Sequence, residues 1–198
     1  SHIENATMDD VRSFFFNHYV PNNAIMVVAG NVKTDQVKAL SEKWFGPIAA
    51  QQIKARVLPK EPKQKQKRIL EVEADVPASA LYKAFHMPGR FHDDYYPADL
   101  LSDVLSRGQS SRLYQKLVKE KEIFNSISSF VMGSIDPGLV VINGRVKPGV
   151  NLQDAEAEVD VIISQLVTDG PTEEELEKVK NQAYSTLEFG EVEVMNRA

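Results

Sequence analysis

Gln51 to Arg68 is the stretch that most constrains how this chain folds. Lysine, glutamine and proline dominate it, Pro59 and Pro62 oppose any regular element, and few of its side chains are apolar enough to bury. A chain interrupted in this way folds as two portions joined by a linker. The predicted organisation is one domain, 1–198, with a helix-strand-helix unit at 7–50, a linker at 51–67 and an α/β layer at 68–198. With 198 residues, 42% of them hydrophobic, there is material for one substantial core or two small ones.

In the first portion, Thr7-Met8-Asp9-Asp10 reads as a helix start: a Thr cap with an acid three positions later, after which Met8, Val11, Phe15 and Tyr19 repeat at helical spacing. Pro21-Asn22-Asn23 ends that helix. The apolar run from Ala24 to Ala29, closed by Gly30-Asn31, predicts a strand buried on both faces or in mid-sheet. A second helix follows, with Thr34 as the expected cap, Val37, Leu40 and Trp44 as its apolar stripe, and Gly46-Pro47 as its stop.

In the second portion, Leu70, Val72 and Ala74 alternate with Glu71, Glu73 and Asp75, the period-two pattern of a strand with one wet face. Residues 80–87 predict another strand, with Pro77 at the turn. Leu100, Leu101, Val104 and Leu105 mark a helix ending near Gly108, and Leu113, Leu117 and Val118 mark a further helix that Ser110 is expected to cap. Residues 124–131 and 139–146 predict a hairpin about Asp136-Pro137-Gly138, where the proline presets φ and the glycine tolerates positive φ. A helix carrying Ala155, Val159, Ile162 and Leu166 on one face comes next. After Gly170-Pro171, a Thr172-x-x-Glu175 capping box opens the last helix. Antiparallel strands with amphipathic helices on one side make the fold class α+β.

Chemistry is sparse. The net charge of -5 gives no reason to expect nucleic acid as a partner, and the basic stretch Lys60, Lys63, Lys65, Lys67 and Arg68 lacks the interleaved aromatics of a single-strand binder. No apolar run approaches the roughly 20 residues that span a bilayer, so no membrane span is expected. Cysteine is absent, which excludes disulfides and thiolate metal sites. The only imidazoles are His2, His18, His86 and His92, and no two stand three or four apart, the spacing that sets paired ligands on one helical face. His86 and His92 with Asp93 and Asp94 hold nitrogen and oxygen donors but straddle a Pro88-Gly89 turn, where ordinary loop polarity accounts for them. The serines at 110–111 and 126–129 lie in no nucleophile elbow and have no evident base, and the acids at 173–175 suit a helix N-terminus. Phe14-Phe15-Phe16 exceeds what one helical face can bury, which leaves Phe14 or Phe16 for a partner contact.

Two motif groups carry a resemblance. Thr7-x-x-Asp10 through Phe14-Phe15, Tyr19-x-Pro21-x-Asn23, the run from Val27 to Val32, and Trp44-Phe45-Gly46-Pro47-Ile48 form the first. Asp99-x3-Asp103-x-Leu105-Ser106-x-Gly108-x-Ser110-Ser111-Arg112-Leu113-Tyr114 followed by residues 117–121 forms the second. Together they resemble the second half-domain of pitrilysin/insulinase-type zinc metallopeptidases, over about residues 3–188.

The resemblance implies a LuxS/processing-peptidase-like metallohydrolase half-domain, mainly antiparallel sheet with helices packed on one face. It implies a non-catalytic role in a zinc metalloendopeptidase whose zinc sits in an inverted H-x-x-E-H motif of the first half, with the halves closing around an extended peptide. This sequence has no H-x-x-E-H, so no catalytic residue, metal ligand or cofactor is expected here and zinc is expected in the other half. The implied partners are an N-terminal zinc-binding half of the same chain, a partner subunit of the same family, and a peptide substrate. Comparable bacterial proteins are often exported.

Complete sites of the family supply an arginine and a tyrosine from the second half to stabilise the scissile carbonyl. The resembling positions here read Lys119 and Asn125, which with Arg112 are the substrate-contact candidates. A lysine keeps the positive charge without the guanidinium fork, and an asparagine amide is a weaker, differently placed donor than a phenol. Two arrangements fit: the C-terminal half of a subunit whose partner supplies the Arg/Tyr pair, or a structural and assembly subunit of a processing-peptidase-like complex. The first is preferred, because the chain starts at Ser1-His2 where a second half begins and stops at residues 196–198, before the family's closing helix and strand.

Overall fold

The computed structural model describes residues 3–53, 57, 59 and 61–197. His2 and Lys60, read above as an imidazole and a linker cation, lie outside the described residues, as do positions 54–56, 58 and 198. The chain divides into two compact units, Ser1–Leu70 with Glu188–Ala198, and Glu71–Leu187.

The first unit holds α1 (Met8–His18), α2 (Thr34–Phe45) and short 3₁₀ turns at Pro21–Asn23 and Val194–Arg197. The capping box forms as expected: the Thr7 hydroxyl accepts from the Asp10 amide at 3.2 Å, and Asp10 accepts from the Thr7 amide at 2.9 Å. The Thr7 hydroxyl, which also donates to the Asp10 carboxylate at 2.6 Å, and the Thr7 amide together hold the Asp10 carboxyl below its ordinary pKa. At α2 the cap position belongs to Lys33, with no side-chain bond, and Thr34 is already helical, one residue later than its hydroxyl would be useful.

Residues 24–29 correct the reading of a buried strand. They form no strand, and Ile25 is 95% exposed. A strand exists only as part of a ladder, and among the described residues none pairs with this run. The alternating segment 70–75 likewise stays outside the sheet, with Leu70 and Val72 exposed. Neither α1 nor α2 buries a residue. The expected stripe of α1 lies on the surface, where Phe15 stacks on Tyr19 and Phe14 on His18.

The second unit is built on an antiparallel sheet of β1 (Ala80–Met87), β2 (Phe124–Met132) and β3 (Gly138–Val146), in the order β1-β3-β2. The hairpin forms at the predicted place, but Gly138 already belongs to β3 and does not take positive φ. A Cβ there would collide with the Met132 carbonyl oxygen, so close approach is what its missing side chain permits, and β3 becomes the central strand. Three α-helices complete the unit: α3 (Tyr95–Ser106), α4 (Leu152–Asp169) and α5 (Glu173–Gly190, whose last residues belong to the first unit).

Side chains on one face of the sheet enter a single core. Leu81, Phe124, Ile127, Ile142 and Val146 meet Leu105 of α3 and Ala155, Val159 and Ile162 of α4, together with Leu113 and Leu117. Gly144 sits under Phe124, where a Cβ would come within 2.6 Å of the ring, so the central strand needs the missing side chain at that point. The helices pack on this one face, and the resulting α+β layer is the fold class the patterning implies.

One partly buried ion group ties β1 to α4. Lys83, on the core face of β1 with its side chain 9% exposed, reaches Glu156 at 2.7 Å and Asp160 at 2.9 Å on α4. Asn151 caps α4 through the amides of Gln153 and Asp154, and Thr172 with Glu175 makes the reciprocal box at the start of α5.

Candidate functional site

The segment from Arg112 to Ser126 carries all three substrate-contact candidates, and its backbone is irregular twice. Tyr114–Glu120 winds as a π-helix, closed by the Lys121 amide donating to the Lys116 carbonyl at 3.0 Å. Leu113 and Leu117 anchor it, both fully buried. Glu122 then takes φ 53°, the left-handed region that a non-glycine residue seldom enters. The second irregularity is in β2: Phe124 pairs with Val146 and Ser126 with Arg145, so Asn125 is an extra residue with no partner across the strand. π-turns and β-bulges recur at functional sites because they re-aim side chains against a fixed frame.

Lys119 and Asn125, one in each irregular stretch, are both exposed. Lysines nearby are neutralised: Lys116 pairs with Glu120 at 2.8 Å, Lys147 with Glu122 at 3.0 Å, and Lys121 with Glu158. Among the described residues no acid partners Lys119, which leaves its ammonium available to a ligand. The apolar spacing of Leu113, Leu117 and Val118 predicts an ordinary helix capped by Ser110 here. The structure instead has the Ser111 hydroxyl donating to the Gly108 carbonyl at 2.7 Å, while Ser110 accepts from Lys178 at 3.0 Å.

Arg112 stands apart from the other two. Its Nε and one NH2 nitrogen donate to the two oxygens of Glu175, each at 2.7 Å, and that nitrogen also reaches the Gly170 carbonyl at 2.9 Å. The two side chains are 19% and 23% exposed. The Arg112 bonds hold the Glu175 carboxyl down at about 2, with the Thr172 amide and hydroxyl assisting against the cost of burial. Its guanidinium is thus committed to locking the π-helix segment to the start of α5. On α3, burial pushes the Asp99 carboxyl above its ordinary value, and the neighbouring Asp103 adds to this while Arg107 opposes it.

Among the described residues the histidines converge nowhere. His18 Nδ1 lies 2.9 Å from the Phe14 carbonyl of its own helix, His92 faces Asp94 at 3.6 Å, and His86 is on β1. Among the described residues no group of three or more His, Cys, Asp and Glu side chains is placed to hold a metal ion, so this donor set does not fit zinc. No described helix is long and apolar enough to cross a membrane.

Two polar residues of β3, Asn143 and Arg145, lie outside the sequence-predicted site. They interrupt an otherwise apolar strand at alternate positions, which is the signal for a second, open sheet face.

Residues 5–183 match the model of the peptidase M16 inactive domain. Among curated proteins, the chain is 31% identical over 181 residues to the zinc protease PqqE of Helicobacter pylori, covering 90% of this chain and 41% of that protein. It is 30% identical over 181 residues to the uncharacterized zinc protease YmxG of Bacillus subtilis, covering 90% of this chain and 42% of that protein. The chain therefore spans about two fifths of the length of the curated relatives it matches. Among solved structures, a protease from Helicobacter pylori superposes with a TM-score of 0.87 at 26% identity, over 98% of this chain and 48% of that one.

Proposed function

Because the chain belongs to the peptidase M16 inactive-domain family, the pitrilysin/insulinase-type group its motifs resemble, we propose that it acts as the non-catalytic C-terminal half of a zinc metalloprotease. In this reading an N-terminal half of the same polypeptide holds the zinc, and the two close around an extended peptide that adds as a strand to a sheet edge. The observation that carries it is the match of nine-tenths of this chain to two fifths of zinc proteases. The donor set above supports the division of labour: the chemistry belongs to polypeptide outside this chain, and this half contributes a wall.

Within that wall, Lys119 and Asn125 are the proposed contacts to the substrate backbone. Lys119 supplies an unpaired positive charge for a carbonyl oxygen and Asn125 an amide aimed by the bulge, a weaker pair than arginine with tyrosine. A partner subunit of the same family would supply what this pair lacks. Arg112 supports them by holding the π-helix segment in place. The outer edge of β2 is not the edge that receives the peptide, since Ser106 covers it at Ser129.

The test is reconstitution. Co-expressed with the zinc-binding half of its parent polypeptide, the chain is expected to give peptide cleavage that a chelator abolishes and that neither half shows alone. Stoichiometric, tightly held zinc together with chelator-sensitive proteolysis by this chain in isolation would overturn the reading. A stable complex without proteolysis would favour an assembly subunit instead.

A further inference from the structure

The helices cover one face of the sheet in the second unit; the other, apart from Val141 buried at its centre, is open, and the register fixes what it presents. Rows across the three strands read Ala80, Arg145, Ser126 and then Tyr82, Asn143, Ser128, with Phe130 in the row beyond. Ser128 donates to the Asn143 side-chain oxygen, which confirms that these two side chains share a face. Tyr82 is 71% exposed and Phe130 41% exposed.

Charge on this face is one-sided. The chain carries 28 acidic side chains against 23 basic ones, yet no strand position on the open face is an aspartate or glutamate. Arg145 is its one permanent cation, exposed and without an acidic partner among the described residues. Lys83, on the opposite face of β1, shows what this fold does with a cation it uses internally: it surrounds it with two carboxylates. Arg145 has hydroxyls and an amide around it in place of acids, donors and acceptors that accommodate a peptide without competing for the guanidinium.

We propose that an extended peptide lies across this open sheet face with an acidic side chain seated at Arg145, between Ser126 and the Tyr82 ring. The inference rests on the peptide-wall part of the reading above, sets this stretch of peptide on the sheet face and not in the ladder at its edge, and adds a preference for substrates with an internal aspartate or glutamate. A guanidinium offers a carboxylate two parallel N–H donors, Ser126 and Asn143 can meet the peptide backbone, and Tyr82 and Phe130 offer apolar area to neighbouring side chains.

The experiment uses the full 198-residue chain and fluorescein-labelled, C-terminally amidated dodecapeptides that differ only in a central Glu, Gln or Lys, followed by polarisation. The Glu peptide should bind roughly two- to fivefold more tightly than the Gln peptide, the range of an exposed ion pair, and the Lys peptide more weakly than either. The preference should shrink as salt rises and vanish in Arg145→Gln. Ser126→Asp, which sets a carboxylate beside the guanidinium and neutralises it, should likewise abolish the preference, and it decides the matter if Arg145→Gln fails to fold.

Equal binding of Glu and Gln peptides would overturn the acidic preference while leaving the peptide wall standing. A preference that survives Arg145→Gln would overturn the assignment to this residue. Tight binding of a Gln peptide with a free C-terminus would transfer the site to terminal carboxylates. Self-association that Phe130→Ser abolishes would mean that a second copy covers the face. If no peptide binds, the face is not a peptide site, and the reconstitution above still decides the broader function independently.

Discussion

Arg112 and Glu175 show how one pair of side chains can serve both a cap and a tertiary clasp. Glu175 accepts from the Thr172 amide at 2.8 Å, closing the box at the start of α5, while both of its oxygens take the guanidinium of Arg112. The folded carboxyl titrates at about 2 against an ordinary 4.5. A depressed folded value means that the stabilisation is fully present above pH 4.5 and is lost as pH falls from there towards 2. Glu175→Gln removes the charge and leaves a half-buried guanidinium short of an acceptor. It is expected to cost about 1.5–3 kcal/mol at neutral pH, the range for hydrogen bonds to charged groups. Urea unfolding across pH should show the wild-type midpoint falling through the acid window and the variant's falling less; parallel curves would show that the pair contributes nothing specific.

At the scale of elements, β2 would be an aggregation hazard without α3. Ser128 and Phe130 stand opposite Asn143 and Val141 in the ladder with β3, so the backbone of Ser129 between them points to the outer edge. There the Ser106 hydroxyl, at the last residue of α3, accepts from the Ser129 amide at 2.6 Å and donates to its carbonyl at 2.9 Å. One side chain thus satisfies both outward groups of a mid-strand residue. Ser106→Ala is expected to destabilise the chain by about 1–3 kcal/mol through the orphaned pair, and to speed concentration-dependent aggregation as the edge opens. Chemical unfolding and light scattering measure the two effects, and unchanged values in both would show that water replaces the hydroxyl at no cost.

The Ser106 contact was not legible in the sequence, because nothing local links positions 106 and 129. What was legible is local or periodic. Thr7 and Thr172 cap their helices because a hydroxyl three residues before a carboxylate is a local geometry, and the hairpin falls where Asp136-Pro137-Gly138 marks a break between strands. The runs at 24–29 and 70–75 look like strands because their composition suits a sheet, but pairing is a tertiary event that composition does not specify. Of the candidate site, Lys119 and Asn125 were found only through family resemblance. The π-turn and the bulge that display them arise from how Leu117 and Phe124 are both drawn into the core, a packing result invisible to a helical-periodicity count.

Across the whole molecule, burial is distributed unevenly, and that distribution predicts a gradient of local stability. The second unit holds the contiguous core, with Leu113, Leu117, Phe124, Ala155 and Val159 all fully excluded from solvent. In the first unit Val20 is buried, while neither helix buries a residue and Ile25, Val27 and Phe16 are exposed. Helices of 11 and 12 residues are marginal without a packed face, since nucleation is unfavourable and propensity alone adds little per residue. Local opening of α1 and α2 therefore needs far less free energy than opening of β3, whose central position requires loss of both neighbouring ladders. Hydrogen exchange followed by mass spectrometry should find the amides of Val141 and Ile142 protected by roughly two orders of magnitude or more beyond those of α1 and α2. The ordering is structural, so it should persist when Glu175→Gln lowers the protection of the second unit, with the gap between units narrowing. Equal protection in α1, α2 and β3 would mean that the exposed apolar side chains of the first unit are covered in solution, and that the chain unfolds as a single cooperative body.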